Sequence, residues 1–156
     1  MRIAVVFCLA LAALTLLAGC GAGAGPRALI VYEARTGGVT NVYTIDPGTG
    51  ATRQLTHGTS FDGNPAWSPD RKRILFSSRR DGQRKSDLYT MDPDGGNVSR
   101  LTDTPGAGEG SAKISQDGTQ IAYVQDASDG WSVWLMRTDG PEQRRLAGPY
   151  PFAEFC

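Results

Sequence analysis

The sequence carries one histidine, His57, in 156 residues, so any Ser-His-Asp triad or zinc site would have to be built around it. The nearest approach to a nucleophile elbow is Gly58-Thr59-Ser60-Phe61-Asp62. It has Asp62 where the G-x-S-x-G turn needs its second glycine, and it reads as a loop rather than a strand-to-helix turn. Asp92-Pro93-Asp94-Gly95-Gly96 begins like a calcium loop but has no ligand at position five and no closing glutamate. The glycine pairs lie in turns, not before a helix, and make no phosphate cradle. A formal net charge of zero argues against a nucleic-acid surface, which needs a basic excess. No catalytic residue, metal ligand or cofactor is therefore expected. What remains is recognition: a basic cluster of Arg79, Arg80 and Arg84, the acidic and aromatic pair Asp129 and Trp131, and His57 as a loop residue. Arg and Trp are favoured interface anchors, and acidic groups beside basic ones suit a complementary protein surface.

These residues must be held in place, and the chain supplies a repeat to do it. Apolar strand cores recur at 29–33 (LIVYE), 74–78 (ILFSS) and 121–125 (IAYVQ). A second set recurs as NVYTID, DLYTMD and SVWLMR, and a third as RQLT, SRLT and RRLA. Tyr43, Tyr89 and Trp134 are 46 and 45 residues apart, and so are Leu55, Leu101 and Leu146. Short runs rich in Ile, Val, Tyr and Thr alternate with turn signals such as DPGTG, DPDGG, SPDRK and SQDGT. Beyond the N-terminal stretch no segment has a helical period. A repeat of about 40–50 residues with four strands per unit predicts an all-β propeller of four-stranded antiparallel blades. The units run 28–63, 64–110 and 111–156. Trp67, Tyr43, Tyr89 and Trp134 are expected between blades, where aromatics bury large areas. Trp131 is expected in or beside a loop.

Connections between second and third strands (34–40, 79–86 and 126–131) are expected to be long, as are those from outer to inner strands (57–63 and 103–110). In an antiparallel blade both classes emerge on one face. Variable loops on a rigid scaffold tend to carry function. That face, which also holds Phe61, Asp62, Lys85, Asp103, Glu109 and Asp126, is the candidate surface.

The stretches PAWSPD, RILFSS, DLYTMDPDGGN and SRLT resemble the TolB-type β-propeller repeat, which also builds the propellers of prolyl-oligopeptidase-like peptidases. The resemblance covers the chain after residue 27 and is loosest in the third unit, where AKISQDGT replaces the Trp-Ser-Pro-Asp pattern. It implies a strand order running outward from PAWS to SRLT, a ring of six blades and, for TolB itself, contacts with envelope lipoproteins. The peptidases that share this propeller carry their catalytic Ser, Asp and His on a separate α/β-hydrolase domain. The expected function is a non-catalytic module that binds a protein or envelope component through the long-loop face. Two alternatives stand beside it: a truncated propeller of a prolyl-oligopeptidase-like peptidase, with no activity of its own, and a glycan- or small-ligand-binding propeller with Trp131 as a stacking platform.

Residues 1–19 read as an export signal, with Arg2 followed by a stretch from Ile3 to Leu17 that is apolar but for Thr15. Leu17-Ala18-Gly19-Cys20 resembles a bacterial lipobox. That implies diacylglyceryl attachment to the Cys20 thiol, cleavage just before it, and acylation such as palmitoylation of the new amine. Several chains would anchor the protein to a membrane, each buried methylene contributing about 0.8 kcal/mol. Residues 20–27, with their GAGAG run, form a flexible tether. Gly21 is not the aspartate associated with inner-membrane retention, so the periplasmic face of the outer membrane or the cell surface is expected. Cys8 leaves with the signal, Cys20 carries lipid and Cys156 stands alone, so no internal disulfide is expected.

Units one to three supply three, four and four strands, and PFAEF at 151–155 is a candidate for the first unit's inner strand. Three blades fall short of the roughly four to eight of ordinary propellers. Three expectations compete: a truncated or frameshifted gene whose downstream blades are lost, a homodimer that completes a six-bladed ring, and a free-standing arc.

Overall fold

The computed structural model describes residues 28–151 other than 81, 83 and 141. The signal, Cys20, the tether, Cys156 and all but Pro151 of the candidate closing strand lie outside the described residues. Unit one contains β1 (Ile30–Thr36), β2 (Val39–Ile45) and β3 (Thr52–Gln54). Unit two contains β4 (Asp62–Trp67), β5 (Ile74–Ser78), β6 (Asp87–Met91) and β7 (Ser99–Arg100). Unit three contains β8 (Gly108–Ile114), β9 (Gln120–Ala127), β10 (Gly130–Arg137) and β11 (Gln143–Tyr150). Each unit is one sheet in which strands consecutive in the chain pair antiparallel. The three-, four- and four-stranded blades predicted from the repeat are present.

The repeat reproduces chemistry as well as hydrophobicity. Between inner and second strands, Ser68 Oγ donates to Asp70 at 2.7 Å and Asp70 accepts the Lys72 N–H at 3.0 Å. Ser115, Asp117 and Thr119 make the same turn at 2.6 and 3.0 Å. The serine hydrogen bond, more than any other contact, holds both aspartates below the usual carboxylate range. Both inner strands also carry a bulge at one repeat position, where Asn64 (φ 51°) and Ser111 (φ 52°) take left-handed conformations.

Blades stack face to face, and the middle blade buries both of its faces. Ile74, Phe76, Tyr89 and Met91 meet Val42 and Leu55 of unit one, with Val31 and Trp67 packed at the margin. From the other face, Leu75 and Leu88 meet Ile121, Tyr123 and Met136 of unit three. Strand period two sends alternate residues to opposite faces, and both faces need apolar residues, so β5 reads ILFSS with no polar alternation. The Trp67 indole N–H adds a cross-unit bond to the Leu29 carbonyl at 3.1 Å. Trp67, Tyr89 and Trp134 lie between blades as expected.

Two connections differ from the sequence expectation. The strands flanking 34–40 pair up to Thr36 and Val39, leaving a two-residue hairpin of Gly37 and Gly38 with φ of 61° and 87°. The 126–131 segment likewise closes on the Ala127–Gly130 pair, so its turn is Ser128 and Asp129. Main-chain pairing continues past the apolar cores because a ladder needs no apolar side chain, and in the first hairpin the positive φ at Gly37 and Gly38 matches strand twist. Trp131 accordingly lies at the start of β10, beside the hairpin turn, in line with the expectation of a place in or beside a loop. Of the three second-to-third connections, the one at 79–86 is long.

Phe76 is fully buried between units one and two. Phe76→Ala is expected to lower unfolding free energy by about 3–5 kcal/mol, measured by equilibrium denaturation.

Candidate interaction face

The loops after β3, β5 and β7 emerge on one face, and a ladder of polar contacts ties them together. The Arg79 N–H donates to the Phe61 carbonyl at 3.0 Å, and its guanidinium lies over the Phe61 ring at 5.4 Å. This joins the β5–β6 loop to the β3–β4 loop. Lys85 Nζ donates to the Asp126 carbonyl at 2.9 Å and lies 3.5 Å from the Asp126 carboxylate, joining unit two to unit three. Ser86 and Glu109 exchange backbone and hydroxyl bonds beside it.

Arg80 has a different place from its neighbour. Its guanidinium lies over the rings of Phe76 and Tyr89 at 4.9 and 5.0 Å. It also donates to Ser78 Oγ at 3.0 Å and pairs with Asp62 at 3.2 Å. Asp62, only 2% exposed, accepts from the Ser78 hydroxyl as well. Arg80 therefore caps the inter-blade core and neutralises a buried carboxylate. Arg79 and Arg84 are exposed and have no ion-pair partner among the described residues.

The sequence reading placed Asp62 and Glu109 among exposed loop groups; both are buried at the starts of inner strands. Glu109, with no exposed surface, accepts from Thr102 Oγ and Gln125 Nε2, each at 3.2 Å. A signal for this was present, since Asp62 and Glu109 stand six residues before Ser68 and Ser115, and the residue paired opposite each, Ser78 or Gln125, donates to it. Burial pushes the Glu109 carboxyl above its ordinary range, against the pull of its hydrogen bonds. Burial also pushes Asp87 up despite the Arg100 guanidinium 2.8 Å away. The Tyr123 hydroxyl is pushed up to about 12 by burial and then by the charge of Glu109.

Of the residues singled out from sequence, His57 and Arg80 share a cavity of about 370 Å³ that Thr59, Ser60 and Asp62 also line. His57 itself is exposed. Asp129 sits at the β9–β10 hairpin tip, and Trp131 lies edge-on to Tyr150, with ring centroids 6.2 Å apart.

Residues 25–150 match the family model described as the TolB beta propeller domain. The chain belongs to the TolB β-propeller family. It is 31% identical to the uncharacterized peptidase YuxL of Bacillus subtilis over 66% of this chain and 15% of that protein. It is 29% identical to the Tol-Pal system protein TolB of Francisella tularensis over 47% of this chain and 17% of that one. Among solved structures, one described as a TolB from Agrobacterium tumefaciens superposes with a TM-score of 0.70 at 27% identity, covering 75% of this chain and 44% of that chain. The chain thus spans less than half the length of each of these proteins. In this TolB-type scaffold the buried carboxyl groups belong to the blade framework, and Arg79 and Arg84 to the solvent.

A carboxyl raised by burial favours the protonated folded state, so its stabilising contribution is full below the ordinary glutamate pKa. The contribution is lost as pH rises through the folded-state value. Glu109→Gln keeps the shape and cannot ionise. The melting temperature of that variant relative to the parent is expected to increase as pH climbs from about 4.5, then level off, in thermal melts across a pH series.

Proposed function

We propose that this TolB-type propeller is a lipid-anchored, extracytoplasmic binding module without catalysis of its own, and that it engages a protein of the cell envelope through the face carrying the β3–β4, β5–β6 and β7–β8 loops. The observation that carries the reading is the contrast between adjacent arginines. Arg80 is consumed by Asp62 and two rings, while Arg79 is held at a fixed backbone position over Phe61 with no ion-pair partner among the described residues, and is available to an acidic partner. A cation on an aromatic ring at the rim of a rigid scaffold is preorganised and loses little entropy on binding. The match to the Tol-Pal system protein supports an envelope setting, and the lipobox-like Leu17-Ala18-Gly19-Cys20 supports attachment to a membrane.

The match to YuxL favours a second reading, in which the chain serves as the propeller part of a peptidase. Photo-crosslinking from the β5–β6 loop separates the two. Capture of an envelope protein unreactive to a serine-hydrolase probe supports the first, and capture of a probe-labelled hydrolase supports the second. Reversing both free charges, Arg79→Glu with Arg84→Glu, is expected to weaken capture of an envelope partner about tenfold, equivalent to ~1.4 kcal/mol. An unchanged yield would remove the long-loop face from the reading. For the anchor, Cys20→Ala is expected to abolish labelling by a palmitate analogue and move the protein out of the membrane fraction.

A further inference from the structure

We propose that two copies of this chain associate head to tail, the free face of unit three in each closing on the free face of unit one in the other, to form a ring of six blades. Wherever two units meet within the chain, the same pair of surfaces meets. Unit two presents Ile74, Phe76, Tyr89 and Met91 to unit one. Unit three presents Ile121, Tyr123, Trp134 and Met136 to unit two. Strand register shows these to be one repeated surface, because Ile74 pairs Met91 and Phe76 pairs Tyr89, as Ile121 pairs Met136 and Tyr123 pairs Trp134.

Unit one carries the same surface. Ile30 pairs Ile45 and Tyr32 pairs Tyr43. The Tyr32 and Tyr43 rings stack at 5.6 Å, close to the 5.8 Å of the buried Phe76 and Tyr89 pair. Yet Ile30 is 52% exposed where its counterpart Ile74 is 0%. The opposite surface is repeated too. In unit two it consists of Leu75, Leu88 and Leu101, all packed on unit three. In unit three Ala122, Val133 and Leu146 occupy those positions, and Leu146 is 47% exposed.

The distribution of exposed apolar side chains follows the same line. Among the described residues, the exposed large hydrophobics are Ile30, Val98, Trp131, Leu146 and Tyr150, and all but Val98 lie on these two terminal blades. Contiguous apolar faces call for a cover. The two faces differ from one another and complement one another, which specifies a heterologous contact. Such a contact closes with two copies when each spans half a turn. A second copy is the occupant that continues the two internal junctions with the same residues at the same repeat positions. The inference stands independently of the long-loop reading above, which concerns a different face.

The test is the mass of the full-length chain in mild detergent, measured by light scattering with the detergent contribution subtracted. Two chains per particle are expected. Ile30→Asp and Leu146→Asp, each at an exposed position, are expected to give single chains that keep the parent strand signal in circular dichroism. Mixing the two variants is expected to restore two-chain particles in part, because the mixed pair retains one undamaged junction. Should either aspartate variant lose its fold, Ile30→Gln and Leu146→Gln replace them. A wild-type chain that is single at all concentrations overturns the proposal and assigns these faces to further units of a longer polypeptide or to another protein. So does an open-ended series of sizes, and so does a dimer untouched by both substitutions. A mixture that stays single-chain points to a self-complementary contact and equally overturns it.

Discussion

A four-stranded blade with apolar residues on both faces cannot be stable alone; it needs a sheet against each side. Everything else in this molecule follows from that requirement. It explains why β5 is buried at every position while carrying no polar alternation. It also explains why an aromatic at Tyr89 and Trp134 returns once per unit, and why the core divides into two clusters, one per junction, instead of one central mass. Stability in such a stack is a sum over junctions, so the middle unit, with two junctions, is the best buried. The end units each leave one face without a described partner.

Packing faces of this kind fix the blades laterally but leave the loop end of each junction open to water. The structure seals it with polar groups. Asp62, Ser78 and Arg80 cover the first junction, and Glu109, Thr102 and Gln125 the second. Asp62 and Glu109 share one repeat position, and Ser78 and Gln125, paired opposite them, share another. In the first, a guanidinium lies across the ring pair and the carboxylate is matched by charge. In the second, neutral donors surround a carboxyl whose proton affinity burial has raised. A buried carboxyl needs a cation or hydrogen-bond donors around it; the first junction supplies Arg80, and the second the neutral donors Thr102 and Gln125.

How much of this was legible depended on whether the relevant force is local in sequence. The period, the strands, the turns at Ser68-Pro69-Asp70 and Ser115-Gln116-Asp117, and the inter-blade places of Trp67, Tyr89 and Trp134 were readable, because each is encoded within a few residues and then repeated; Tyr43, expected there too, stacks on Tyr32 on the face of unit one that no described unit covers. Loop lengths at 34–40 and 126–131 were misread because strand pairing extends beyond the apolar runs, and the only local trace is a glycine pair in the first and Asp129-Gly130 in the second. The burial of Asp62 and Glu109 was missed for another reason. Their partners are brought in by strand pairing and by the preceding unit, so composition of the loop alone makes them look solvated. Aligning the units on Ser68 and Ser115 exposes the coincidence of position.

Arg79 and Arg80 bring these strands together. Adjacent residues leaving a strand point to opposite sides, so one guanidinium turns inward over Phe76 and Tyr89 while its neighbour turns outward over Phe61. The inward arginine is held by an ion pair with a buried aspartate, which fixes the backbone from which the outward one projects. The hydrogen bond from the Arg79 N–H to the Phe61 carbonyl fixes the opposite loop against it. Recognition by Arg79 would therefore draw on rigidity supplied by the junction beneath it. Loosening that junction at Phe76 or Asp62 would degrade binding with no contact to a partner lost. The scaffold and the candidate surface are one construction, coupled through two residues that are neighbours in the chain and opposites in environment.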